Sequence, residues 1–71
     1  MTIGEAIKKA RTDRGLSRGM LSIKSGIAVS TITSWEKLGI YPTITLLIRI
    51  ADALNVSLDE LVGRTTPKQK F

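Results

Sequence analysis

Apolar residues return every three or four positions along most of this chain, and each such run is opened by a hydroxyl residue, closed by a glycine, or both. That punctuation points to helices and leaves little room for strands. Thr2 with Glu5 has the spacing of a capping box, in which hydroxyl and carboxylate each accept an orphan backbone N–H; Ile3, Ile7 and Ala10 follow on one face. The first helix should run to about Arg14, with Gly15 as the left-handed residue that ends it. Ser17 caps a second helix reaching about Ser25, with Leu21 inward and Gly26 as its stop. A third spans residues 29–37, where Ile32 and Trp35 lie three apart among Ser30, Thr31, Thr33 and Ser34. Trp35 shares the phase of Ile32, so it reads as a packing plate rather than a base-stacking side chain.

After Gly39 and Pro42, Thr43 caps a fourth helix that reaches about Leu54. Ile44, Leu47, Ile48, Ala51 and Leu54 keep one helical stripe, Leu46, Ile50 and Ala53 form a second, and Thr45, Arg49 and Asp52 are left as a narrow polar strip. Such a helix needs packing partners on two sides. Ser57 with Glu60 repeats the capping-box spacing and opens a short fifth helix carrying Leu58, Leu61 and Val62 before Gly63. The pattern predicts one compact all-α domain over residues 1–63, followed by a basic flexible tail over residues 64–71.

The chemistry available to this domain is narrow. With neither cysteine nor histidine, it lacks thiolate and imidazole metal ligands and the commonest neutral-pH proton carrier. Glu5 and Glu60 read as capping residues and Asp59 as a helix-start charge, so no catalytic residue, metal, cofactor or small-molecule ligand is expected. No run approaches the roughly 18 apolar residues of a membrane span, and the N-terminus lacks a signal-peptide pattern, so a soluble, cytoplasmic protein is expected. The formal charge of +5 favours a polyanionic partner. Residues 1–37 carry seven basic and three acidic side chains, so the positive field belongs mainly to the N-terminal half.

Two short helices joined through Gly26, the second with an apolar inner and a small polar outer side, have the anatomy of a helix-turn-helix. The segments LSRGMLSIKSGIAVSTITSWE and IADALNVSLDELVG carry the Gly15-Leu16-Ser17 opening, Leu21, Gly26-Ile27, Thr31-Ile32, Trp35-Glu36 and the closing Val56 to Leu61 run, with Pro42 between them. Over about residues 3–63 the chain resembles the Cro and lambda-repressor-like, or XRE-like, helix-turn-helix family. The resemblance implies five helices, a third helix reading base edges of double-stranded DNA, and work as a transcriptional regulator of the repressor kind, often as a homodimer. Position by position, it implies that Val29, Ser30, Thr33 and Ser34 face bases. Arg18, where the family usually has a Gln that meets the backbone, would join Ser17, Lys37 and Thr43 on phosphates, while Arg11 and Glu36 match a structural ion pair. Lys8, Lys9, Arg14 and Lys24 are secondary phosphate candidates. Short hydroxyls and a valine provide no Arg–guanine or Gln–adenine fork, so direct readout should be modest.

The chain departs from the family pattern on both sides of the third helix. Ala28 stands where Ser, Thr or Asn usually caps it; either the helix begins uncapped, or Ser30 caps a shorter one and moves readout to Thr31, Thr33 and Ser34. Leu38, Gly39, Ile40 and Tyr41 replace a more polar loop. That apolar loop would pack on its own domain, meet a symmetry mate through a dimer, or bind another protein, in that order. The end of helix four and helix five are the expected dimer contact. The rival to DNA binding is a protein-interaction module, an antitoxin or adaptor, that uses loop 38–41 and helix four.

Overall fold

The computed structural model describes residues 2–63, so the tail expected over residues 64–71 lies outside the described residues. Five helices follow one another: α1 (Ile3–Asp13), α2 (Arg18–Ser25), α3 (Val29–Leu38), α4 (Ile44–Leu54) and α5 (Leu58–Gly63). Among the described residues there is no strand, and no helix is long and apolar enough to cross a membrane.

Side-chain capping sets most of the helix starts. Thr2 Oγ1 accepts the Glu5 N–H while the Glu5 carboxylate accepts the Thr2 N–H, completing the box at α1. That backbone N–H, which favours the charged form, is the main reason the Glu5 carboxyl lies below its ordinary pKa. Ser17 and Thr43 accept the Met20 and Leu46 N–H groups, and Ser57 Oγ accepts the Glu60 N–H. Helix α3 is the exception: Ala28 is its N-cap and supplies no side-chain bond, so the helix begins uncapped at Val29 and Ser30 does not shorten it. Its far end is firmer. Gly39 takes a left-handed conformation, φ 73°, that lets its own N–H and that of Ile40 close on the Ser34 carbonyl.

One core holds the helices together. Ile3, Ala6, Ile7 and Ala10 of α1 meet Ile32 and Trp35 of α3, Leu47, Ile50, Ala51 and Leu54 of α4, Leu21, Ile27 and Leu61. Helix α1 packs on α3, α4 and α5, and α2 packs on α3 and α4. Gly4 sits where α1 crosses α3: a Cβ there would overlap the Trp35 carbonyl oxygen and lie 3.0 Å from Glu36 Cα. Two backbones can approach this closely only with hydrogen between them.

Helix α4 buries Leu47, Ala51 and Leu54 from the first apolar stripe and Ile50 from the second, and leaves Ile44 and Ile48 exposed. Sequence period cannot choose between two adjacent apolar stripes; the neighbours α1, α2 and α5 choose the one centred on Leu47 and Ile50. One expectation fails here: the apolar loop does not pack on its own domain, since Leu38 is 72%, Ile40 53% and Tyr41 70% exposed. Residues 39–43 link two helix ends fixed by Gly39 and Thr43, which leaves too little slack to fold inward.

Candidate nucleic-acid interface

Helices α2 and α3 meet through Gly26, which adopts φ 73° and closes α2 with an N–H bond to the Ser22 carbonyl. Leu21, Ile27, Ile32 and Trp35 fix the pair from beneath, with Leu21 and Ile32 fully buried. This anchoring turns the other side of α3 outward. Val29, Ser30 and Lys37 are exposed, and Thr33 and Ser34 are half-buried along the same outward arc. At helical spacing, Val29, Thr33 and Lys37 form one row, and Ser30 and Ser34 a second beside it. All four expected base-facing residues therefore share one surface. The Ser34 hydroxyl donates to the Thr31 carbonyl at 2.7 Å, so toward a base it is left as an acceptor, suited to the exocyclic amine of adenine or cytosine.

The expected phosphate residues differ in how they are held. Ser17 and Thr43 are exposed but use their oxygens to cap α2 and α4. Lys37 is exposed and held by no hydrogen bond or ion pair among the described residues. Arg18 is half-buried and points its Nε–H at Glu36 Oε1, 2.9 Å away. Of the secondary candidates, Lys8 and Lys24 are exposed, Lys9 pairs with Asp13 at 3.5 Å, and Arg14 reaches the Ala10 and Asn55 carbonyls.

Glu36 is the hub of this region. Its side chain is fully buried, with Oε2 accepting from Arg11 Nε at 2.9 Å and Oε1 from Arg11 Nη2 at 3.0 Å as well as from Arg18. Arg11 also donates through Nη1 to the Leu16 carbonyl at 2.8 Å. The Arg11–Glu36 pair thus ties α1 to α3, as the sequence suggested, but the trio also captures α2 through Arg18. Sequence reading missed that third member. It also missed Gly4, whose signal was available: glycine inside a predicted helix is unfavourable by about 1 kcal/mol relative to alanine, which asks for a packing reason.

No group of three or more acidic side chains among the described residues is arranged to hold a metal ion. The surface instead offers hydroxyls, one aliphatic side chain and cations around a rigid helix, a set suited to a groove with charged walls.

Comparisons with known proteins agree with this anatomy. A helix-turn-helix family model matches residues 7–61. The cryptic phage CTXphi transcriptional repressor RstR of Vibrio cholerae is 33% identical over 64 residues, covering 90% of this chain and 57% of that protein. The immunity repressor protein of Bacillus phage phi105 is 30% identical over 66 residues, covering 93% of this chain and 46% of that protein. The chain thus spans about half the length of these relatives. Among solved structures, the restriction-modification controller protein C.AhdI from Aeromonas hydrophila is similar with a TM-score of 0.79 and 27% identity, over 83% of this chain and 89% of that one.

Proposed function

This chain belongs to the Cro and lambda-repressor-like, or XRE-like, helix-turn-helix family, and from that premise we propose that it binds double-stranded DNA sequence-specifically as a transcriptional repressor. The observation that carries this reading is the outward face of α3, where Val29, Ser30, Thr33 and Ser34 stand over a core-locked Ile32 and Trp35. In a major groove these side chains meet base edges, Val29 through a thymine methyl and the hydroxyls through donors and acceptors. Arg18 and Lys37 meet phosphates, helped by Ser17, Thr43 and the open N–H groups at the starts of α2 and α4. Residues 1–63 act as the binding domain. The protein works in the cytoplasm as a binding module, without catalysis.

A homodimer fits this role, because paired half-sites lie about 34 Å apart on one face of DNA. The expected contact through the end of α4 and α5 has little apolar surface to offer: Leu54 and Leu61 are buried in the core, and Leu58 and Val62 pack against it. Leu38, Ile40, Tyr41, Ile44 and Ile48 are the exposed alternative, and a second copy of this chain is the partner we assign to them. Capture of a different protein by this surface, as an antitoxin or adaptor would require, is the competing outcome.

Duplex affinity measured against salt tests the main reading. Two side-chain cations at phosphates predict a slope of log affinity against log salt of about −2 per protomer. Selection from a random duplex pool should return one preferred sequence, paired at one-turn spacing. Absence of binding to any duplex at low salt would overturn the proposal.

A further inference from the structure

Resting on the DNA-binding reading, we propose that buried Glu36 is a positioning residue for the phosphate contact: it holds Arg18 by one edge of the guanidinium and leaves the other edge to a DNA phosphodiester. The division of donors supports this assignment. Arg11 is closed, with Nε and Nη2 on Glu36 and Nη1 on the Leu16 carbonyl. Arg18 engages Glu36 through Nε alone, while its side chain remains 27% exposed beside a fully buried carboxylate. Two guanidinium groups around one carboxylate leave a surplus positive charge, and Arg18 is the member that reaches solvent. A planar fork can serve two anions at once, and its Nη donors remain for phosphate oxygens.

Placement agrees with the donor arrangement. Arg18 opens α2 directly after the Ser17 cap, where the positive end of the helix also favours an anion. Glu36 lies one turn from Thr33 on α3, so the tether sets Arg18 at the margin of the reading face. Unlike the untethered Lys37, Arg18 reaches the DNA already oriented and loses less side-chain freedom on contact. A lysine in its place would have one compact ammonium, which Glu36 and the phosphate would have to share.

The test compares duplex affinities of the full chain carrying Arg18→Ala and Arg18→Lys, on the preferred duplex and on an unrelated one, with thermal melting to establish folding. Arg18→Ala should weaken both duplexes by about tenfold and reduce the salt slope by about one. Arg18→Lys should fall close to Arg18→Ala although it keeps the charge. An affinity closer to wild type for Arg18→Lys, on a logarithmic scale, would overturn the proposal by showing that charge suffices without the shared fork. An Arg18→Ala affinity within about threefold of wild type would overturn it too, because no contact would then exist to be positioned. Wild-type protein that binds no duplex would instead overturn the DNA-binding reading on which this one rests.

Discussion

Gly4 and Arg11 show how single residues set the position of a helix they do not belong to. Replacing a helix glycine by alanine ordinarily gains about 1 kcal/mol in propensity. At Gly4 the new methyl would meet the Trp35 backbone, so Gly4→Ala should instead destabilise the protein by about 1 to 3 kcal/mol through overpacking. A raised urea midpoint for that variant would mean that α1 and α3 can separate without loss. Arg11 acts by charge rather than by size. It is buried and bonds both oxygens of Glu36, so its removal leaves the carboxylate with Arg18 as its remaining partner. Because Arg18 still neutralises the carboxylate, Arg11→Ala should lose about 1 to 3 kcal/mol in denaturant titration, short of the roughly 3 to 5 kcal/mol for leaving a buried charge unpaired. A loss below about 1 kcal/mol would be the behaviour of an exposed pair and would contradict the burial.

At the scale of elements, α3 combines a weak start with a strong finish. Ala28 sits at φ −59° and ψ 143° with no side-chain acceptor, whereas Gly39 closes the other end. Ala28→Ser should supply the missing acceptor and stabilise the protein by about 1 kcal/mol. In a domain of this size that corresponds to a melting temperature raised by about 4 to 8 °C. An unchanged melting temperature would show that the first turn of α3 is held by other contacts. Helix α4 teaches the complementary lesson. Its eight apolar positions were plain in the sequence, yet its inward direction was not, because two adjacent stripes of similar hydrophobicity satisfy the same period.

For the whole molecule, the stripe of α4 that its neighbours leave uncovered adds to the exposed apolar side chains after α3. Ile44 at 61% and Ile48 at 46% exposure flank the loop that carries Ile40 and Tyr41. In the proposed reading these exposed apolar side chains are where a second copy docks. The proposed dimer predicts a concentration-dependent mass in sedimentation equilibrium, and Tyr41→Glu with Ile44→Glu should give a folded monomer. DNA binding by that monomer should lose its preference for paired half-sites while single-site contacts survive. A wild-type mass that stays monomeric across the concentration range, on and off DNA, would remove the second copy as the occupant.

The sequence by itself determined the parts governed by local chemistry. Thr2, Ser17, Thr43 and Ser57 start helices through bonds to N–H groups three residues away, and Gly26 and Gly39 end them through their own backbone conformations. The outward phase of Val29, Ser30, Thr33 and Ser34 was also readable, because Ile32 and Trp35 leave α3 one inward direction. Tertiary structure alone decided which stripe of α4 faces the core, why Gly4 has no side chain, and that Arg18 shares Glu36 with Arg11. Each of these depends on atoms brought together from separate helices, and a helical period specifies direction around one axis without specifying what stands opposite.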